Sequence, residues 1–282
     1  MSTQRVGFIG TGNIGEPMVE RLLAGGHPTT IYARKDAVRE RLAARGAVIA
    51  STPEGLGESG LVAACLFTDE QVLQVCPSII AAMRPGSVFL SHTTGSPGTV
   101  RQLAEIAAGR GVSVVEAPFS GNPDAIRRGQ LTVLLAGDDA AVDIAEGAIA
   151  TYASNIIRTG ALGTAQPAKL LNNALFAVSS QMTLSALRAA NSLGISQETL
   201  LAVLAVSSGG NTAARYIAAS GQDATEYSER LPRYLRKDLA SVRHVADELG
   251  VDISAILTAA QLGPMDLTEG EPLVDQLEVS PS

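Results

Sequence analysis

The chain has 282 residues, of which 46% are hydrophobic and 17% charged, which excludes a disordered polymer and allows one large domain or two ordinary ones. A net charge of −7 excludes a general affinity for nucleic acid, which depends on Lys and Arg neutralising phosphates. With no Trp and only five Phe and five Tyr, aliphatic side chains must do most of the packing.

In the first half, short β-branched runs alternate with helical segments. RVGFIG (5–10) reads as a strand, 13–25 as a helix ending at Gly25-Gly26, and TTIYA (29–33) as a second strand. A helix over 36–45 ends at Gly46, and AVIA (47–50) follows as a short strand. GLVAACLF (60–67) reads as a buried strand because its apolar run is unbroken, with a helix over 70–83 after it. SVFLS (87–91), a helix over 97–108, VSVVEA (112–117) and LTVLLA (131–136) complete the series. Strands and helices joined by short connections predict βαβ units and a mostly parallel sheet.

Past residue 160 the pattern changes. Helical periodicity runs over 162–193, 196–206 and 228–249, and no convincing strand follows. The expectation is an α/β doubly wound Rossmann domain over residues 1–160 and an all-helical domain over 161–282. The tail PLVDQLEVSPS is expected to fray.

MSTQRVGFIGTGNIG lacks the charged and apolar regions of a signal peptide, and no stretch approaches the ~18 apolar residues of a membrane span. A cytoplasmic protein with no membrane association is expected. Cys65 and Cys76 form no CxxC and read as small buried hydrophobes in a reducing compartment. His27, His92 and His244 are scattered, so no metal site is expected.

Gly10-Thr11-Gly12-Asn13-Ile14-Gly15 is a GxGxxG placed directly after a strand and opening a helix. In that context Gly10 permits a tight turn, Gly12 lets the backbone approach a pyrophosphate, and Gly15 lets the helix pack on the strand. The helix N-terminus offers N–H groups and the positive end of its dipole to the phosphates. About 20 residues on, where an acid would accept the ribose hydroxyls, the chain reads Ala33-Arg34-Lys35. Arg34 and Lys35 would pair with a 2′-phosphate, the alternative being solvated surface cations. NADP(H) is therefore the expected cofactor, with NAD(H) the alternative. A methyltransferase would usually carry an acid where Arg34 stands.

GTAQPAKLLNN (163–173) holds the one charged side chain between Arg158 and Arg188, Lys169. Together with VGFIGTGNIGEPMVERLLAGGH, EAPFSGNPDAIRRGQLTVLLAG and YLRKDLASV, it makes residues 5–250 resemble the β-hydroxyacid dehydrogenase family. That family includes 3-hydroxyisobutyrate dehydrogenases, tartronate semialdehyde reductases and the glyoxylate and succinic semialdehyde reductases. The resemblance implies that Lys169 is the catalytic acid/base. Reducing a carbonyl needs a hydride on carbon and a proton on the developing alkoxide, and an ammonium can stabilise and then protonate that oxygen. Apolar surroundings tune such a group toward neutral pH. The alternative is a lysine snorkelling from a helix edge.

Asn173 lies four residues on and on the same helical face, and the resemblance implies that it holds substrate and lysine, as the family's asparagine does; Asn172 points about 100° away. In the family, the segment at Ser120-Gly121-Asn122 grips the substrate carboxylate through a serine hydroxyl and backbone N–H groups. Here Asn122 and Asp124 replace glycines, and the Asn122 side chain is expected to intrude on the carboxylate pocket. Leu66-Phe67 matches a Leu-Pro lining the cofactor groove, with the phenylalanine a departure. Thr93-Thr94-Gly95-Ser96-Pro97 resembles the loop that sets Thr94 near the nicotinamide, although Ser91 stands where an Asp is usual. Lys237-Asp238 matches a pair whose lysine closes over the cofactor. TEGEPLVDQLEVSPS does not resemble the family's C-terminus. SSGGN (207–211) is a candidate substrate loop.

These residues predict an NADP(H)-preferring oxidoreductase that interconverts a small hydroxy acid and its semialdehyde or keto acid. The implied partner is a small-molecule carboxylate, and the resemblance implies a homodimer built through the helical domain. Two alternatives stay open: an imine reductase on the same fold, and a catalytically silent NADP(H)-binding sensor.

Overall fold

The computed structural model describes residues 3–268. Residues 269–282, which include the tail expected to fray and most of the divergent C-terminus, lie outside the described residues. The chain folds as two compact units, one ending at Lys169 and the other beginning at Leu170.

The first unit is a doubly wound sheet. Its strands are β1 (Val6–Ile9), β2 (Thr29–Tyr32), β3 (Val48–Ile49), β4 (Leu61–Ala64), β5 (Val88–Ser91), β6 (Ser113–Glu116), β7 (Phe119–Ser120), β8 (Leu131–Ala136) and β9 (Ala153–Gly160). Its helices are α1 (Gly15–Ala24), α2 (Asp36–Ala43), α3 (Asp69–Ala82), α4 (Pro97–Ala108), α5 (Pro123–Arg127) and α6 (Asp139–Ile149), with a 3-10 helix at Pro53–Glu58. The strand order is β3-β2-β1-β4-β5-β6-β8-β7, with β9 also paired to β8. Pairing is parallel from β3 through β6, and β8 then runs antiparallel to both β6 and β7.

Alternation along the central strands feeds two cores. Leu61, Ala63, Val88 and Leu90 face one side with Met18, Val19 and Leu22 of α1. Val62, Ala64 and Phe89 face the other with Ile79 and Ile80 of α3 and Leu103 of α4. Burial on both faces is why GLVAACLF reads as an unbroken apolar run. The order reverses at β1, which lies between β2 and β4. In such sheets ligands bind in the crevice beyond the carboxyl ends of the strands at that reversal.

The second unit is helical, and no strand follows Gly160 among the described residues. The helix α7 (Ala165–Ser192) starts in the first unit and continues into the second, which also holds α8 (Gln197–Val206), α9 (Thr212–Ser220), α10 (Ala224–Arg230), α11 (Pro232–Leu249) and α12 (Ser254–Gln261). Its core joins Leu170, Ala174, Ala177 and Leu184 of α7 to Leu239, Val242 and Val245 of α11. Gln181 is buried inside this unit and satisfied on both ends of its amide. Its Nε2 donates to Ala260 and Met265 carbonyls, and its Oε1 accepts from the Met265 N–H. The single helix expected over 228–249 is divided, because Pro232 occupies the first turn of α11 and cannot continue α10.

No described helix is long and apolar enough to cross a membrane. Among the described residues no group of three or more His, Cys, Asp or Glu is placed to hold a metal ion.

Candidate active site

The glycine loop follows β1 and opens α1, and the steric surroundings of its glycines differ. A Cβ on Gly10, which has φ +92°, would stand 2.1 Å from the Cys65 carbonyl oxygen. One on Gly15 would stand 2.0 Å from the Gly10 carbonyl oxygen. Those two positions are glycine because backbone passes against backbone. Around Gly12 nothing lies within 4 Å of where a Cβ would be. The open side of the loop therefore fits a pyrophosphate approaching the chain, flanked by Thr11, Asn13 and Ile14, with Ile14 at the N-cap of α1.

Arg34 and Lys35 are both exposed, in the connection between β2 and α2. Asp36 opens α2 and pairs with Arg39, so that acid is engaged within its own helix. Arg39 also donates to the Ala33 carbonyl at 2.9 Å, which fixes the backbone just before Arg34.

On the other side of the reversal the loops after β4 and β5 are tied together. Thr93 Oγ1 accepts from the Leu66 N–H at 3.1 Å and donates to the Leu66 carbonyl at 3.0 Å. Ser96 N–H donates to Asp69 Oδ2 at 2.8 Å, and Gly95 leaves room for that carboxylate, which a Cβ would meet at 1.9 Å. Phe67, 60% exposed, donates its N–H to Gln71 Oε1. Thr94 is half-buried between these anchors.

Ser120 is exposed on β7, paired with Thr132 of β8. Gly121 follows at φ +143°, where a Cβ would also press Leu131 at 2.6 Å. Asn122 has φ −130°, outside the region that favours glycine, and caps α5: its Oδ1 accepts from the Ala125 N–H at 2.9 Å. The side chain expected to intrude on a carboxylate pocket is thus spent on a helix end. Asp124 pairs with Arg127 at 2.9 Å one turn along α5.

Lys169 is 8% exposed, one turn into α7. The start of that helix is held by two buried side chains for which motif spacing gave no role. Glu116, fully buried at the end of β6, accepts from the N–H groups of Gly163 at 2.6 Å, Ala165 at 3.4 Å and Gln166 at 3.3 Å. A carboxylate at a helix N-terminus satisfies orphan N–H groups and meets the positive end of the dipole. Burial pushes the Glu116 carboxyl above the usual range, against these backbone bonds, which hold it down. Gln166, 1% exposed, donates from Nε2 to the Thr93 carbonyl at 2.8 Å and accepts at Oε1 from the Gly95 N–H at 3.1 Å. The only available signals were an acid closing the apolar run VSVVE and a glutamine three residues before the lysine.

His92, also buried and unassigned by sequence reasoning, bonds through Nδ1 to the Ala117 carbonyl at 2.7 Å and through Nε2 to the Tyr152 hydroxyl at 2.9 Å. It ties the loop after β5 to the strand end that leads to Ser120. Burial pushes its pKa down to about 4, against the Ala117 bond.

Within the helical unit, Asn173 donates from Nδ2 to Asp238 Oδ2 at 3.0 Å and accepts at Oδ1 from Asn172 Nδ2 at 3.2 Å. Asn173 and Lys169 are four residues apart on one continuous helix, hence on the same face. Lys237 is half-buried on α11, next to Asp238.

Residues 5–160 match the family model described as the NAD binding domain of 6-phosphogluconate dehydrogenase. Residues 163–277 match the model for the NAD-binding region of NADP-dependent 3-hydroxyisobutyrate dehydrogenase. The mitochondrial 3-hydroxyisobutyrate dehydrogenase of Bos taurus is 32% identical over 208 residues, covering 72% of this chain and 62% of that protein. The chain therefore spans less than two thirds of the bovine protein's length. Among solved structures, Mycobacterium tuberculosis 3-hydroxyisobutyrate dehydrogenase with L-serine superposes with a TM-score of 0.82 at 25% identity, covering 94% of this chain and 97% of that one. An imine reductase from Streptomyces aurantiacus shares the fold at a TM-score of 0.65 and 22% identity, covering 92% and 93%.

Proposed function

The chain belongs to the β-hydroxyacid dehydrogenase family, and we propose on that premise that it is an NADP(H)-preferring oxidoreductase of small hydroxy acids. In this proposal residues 1–160 bind the nucleotide, and residues 161–282 complete the substrate site and form a homodimer. The substrate is a 3-hydroxy acid, or a 2-hydroxy acid such as glycolate, exchanged with its carbonyl. The observation that carries the proposal is Lys169, the single charged side chain between Arg158 and Arg188, buried one turn from a helix start anchored at the crevice.

When bound, the nicotinamide supplies the hydride for carbonyl reduction and takes it back in oxidation. Lys169 meets the charge that develops on the substrate oxygen and gives it a proton; in the reverse direction it takes the hydroxyl proton. Asn173, fixed by Asp238, orients the substrate oxygen beside the lysine. The Ser120 hydroxyl and the backbone N–H groups of Gly121 and Asn122 hold the carboxylate, and the capping role of Asn122 leaves that assignment to its backbone. Arg34 and Lys35 pair with the 2′-phosphate of the cofactor. Leu66, Phe67 and Thr94 line the nicotinamide half, and Lys237 closes over the cofactor. Leu175 and Met182, exposed apolar side chains on α7, supply dimer surface.

The test is oxidation of NADPH, with NADH in parallel, against glyoxylate, succinic semialdehyde, tartronate semialdehyde and methylmalonate semialdehyde. Turnover with at least one acid, faster with NADPH, is expected. Silence on all four together with reduction of cyclic imines would replace the substrate class. Cofactor binding without turnover on either class would make the protein a sensor.

A further inference from the structure

The adenosine end of a dinucleotide belongs at the end of β2 near Arg34, and its pyrophosphate at the loop after β1. The strand order then carries the other half across the reversal toward β4 and β5, to the loops holding Leu66 and Thr93–Ser96. That second rim carries few glycines and takes its shape from side chains remote in sequence. Three of its anchors, Leu66, Asp69 and Thr93, belong to the rim itself. The fourth, Gln166, comes from the helix that bears Lys169.

Both ends of the Gln166 amide are used on the same short stretch, the Thr93 carbonyl and the Gly95 N–H, and these two bonds bracket Thr94. The backbone of Gln166 is itself seated by Glu116. A side chain buried to 1% exposure and bonded at both ends has no freedom to drift. Any shift of the rim is therefore transmitted to the first turn of α7, three residues before Lys169.

We propose that Gln166 is a positioning residue that sets the nicotinamide rim, Thr93–Gly95, in register with the helix start carrying Lys169, so that hydride and proton are delivered to one substrate carbonyl. The proposal rests on the function argued above in treating the crevice as a dinucleotide site and Lys169 as the acid.

Gln166→Met keeps the length and bulk of the side chain and removes both hydrogen bonds. The first readout is binding: the affinity of the preferred reduced cofactor is compared with that of its fragment lacking the nicotinamide, ADP-ribose or 2′-phospho-ADP-ribose. Q166M should weaken the whole cofactor by roughly fivefold or more, about 1 kcal/mol, and leave the fragment unchanged. The second is kinetic: kcat should fall by on the order of 10–100-fold, as expected from a misplaced reacting pair, with a larger isotope effect from 4-deuterated cofactor. An unchanged ratio of the two affinities, or equal weakening of both ligands, would overturn the proposal. If Q166M does not fold, Gln166→Ala removes the same two hydrogen bonds with a side chain too small to clash, and the same ratio decides. Because binding needs no turnover, a protein silent on every hydroxy acid would count against the proposed reaction and still leave this inference decided.

Discussion

The loop after β1 and the loop after β5 both leave the carboxyl ends of parallel strands in one sheet, yet they are held in different ways. In the first, Gly10 and Gly15 allow backbone to pack on backbone, and Gly12 leaves the open side clear. In the second, Thr93–Ser96 is pinned by the Leu66 backbone and by the Asp69 and Gln166 side chains, the last contributed by a helix more than 70 positions along the chain. A loop shaped by missing side chains announces itself as a spaced motif. A loop shaped by distant hydrogen bonds leaves only single buried polar residues in apolar surroundings.

That contrast can be broken on its first side. Gly15→Ala places a Cβ where the Gly10 carbonyl oxygen stands, and it should cost about 3 kcal/mol of stability, read as a fall in the denaturation midpoint. Gly12→Ala meets nothing within 4 Å. Its stability should stay within about 0.5 kcal/mol of the parent, while cofactor affinity falls on the order of tenfold, about 1.4 kcal/mol. If both variants lose stability equally, the division of labour among the glycines is wrong.

The second side is sharpened by pH. His92 is held down to about 4 in the folded protein by burial, against an unfolded value of about 6.5. Between those values the unfolded chain binds the extra proton, so stability is complete above about pH 6.5 and is lost as pH falls toward 4. The loss from this one group should be roughly 3 kcal/mol, seen in urea melts across that window. His92→Gln should flatten the acid limb, and an unchanged slope would show that His92 does not set it.

A smaller effect is expected at Arg34, which is exposed and which we propose pairs with the 2′-phosphate. A charge-assisted pair to a 2′-phosphate contributes about 1.5–3 kcal/mol. Arg34→Asp should therefore shift the ratio of NADPH to NADH affinity by roughly tenfold or more toward NADH. A ratio that does not move would make Arg34 a surface cation and return the choice of nucleotide to Lys35 or to neither.

The legibility of the fold follows the same division. The inner strands β1, β4 and β5 were readable because burial on both faces writes each of them as an apolar run. The parts that were not readable are short, polar or tied to distant residues. β7 is only Phe119–Ser120, and α5 is five residues capped by Asn122. β9 is largely exposed and lacks the apolar alternation of the inner strands. α6 is rich in Ala, with a glycine inside it, and α9, α10 and α12 are short segments without a long apolar stripe. Lys169 stood out because it is the one charged side chain in the apolar run between Arg158 and Arg188. Glu116 and Gln166 were invisible as partners because their hydrogen bonds span 47 and 71 positions of sequence. Only the fold brings those positions together.

If Lys169 delivers the proton in a cofactor-dependent reduction, Lys169→Ala should separate cofactor binding from chemistry. NADPH titration and steady-state turnover would be measured on the same preparation, with the best carbonyl acid from the panel. The expected result is a kcat lowered by roughly 10²–10⁴-fold, the worth of a positioned general acid, with NADPH affinity unchanged. Turnover like that of the parent protein, with the cofactor bound, would contradict it.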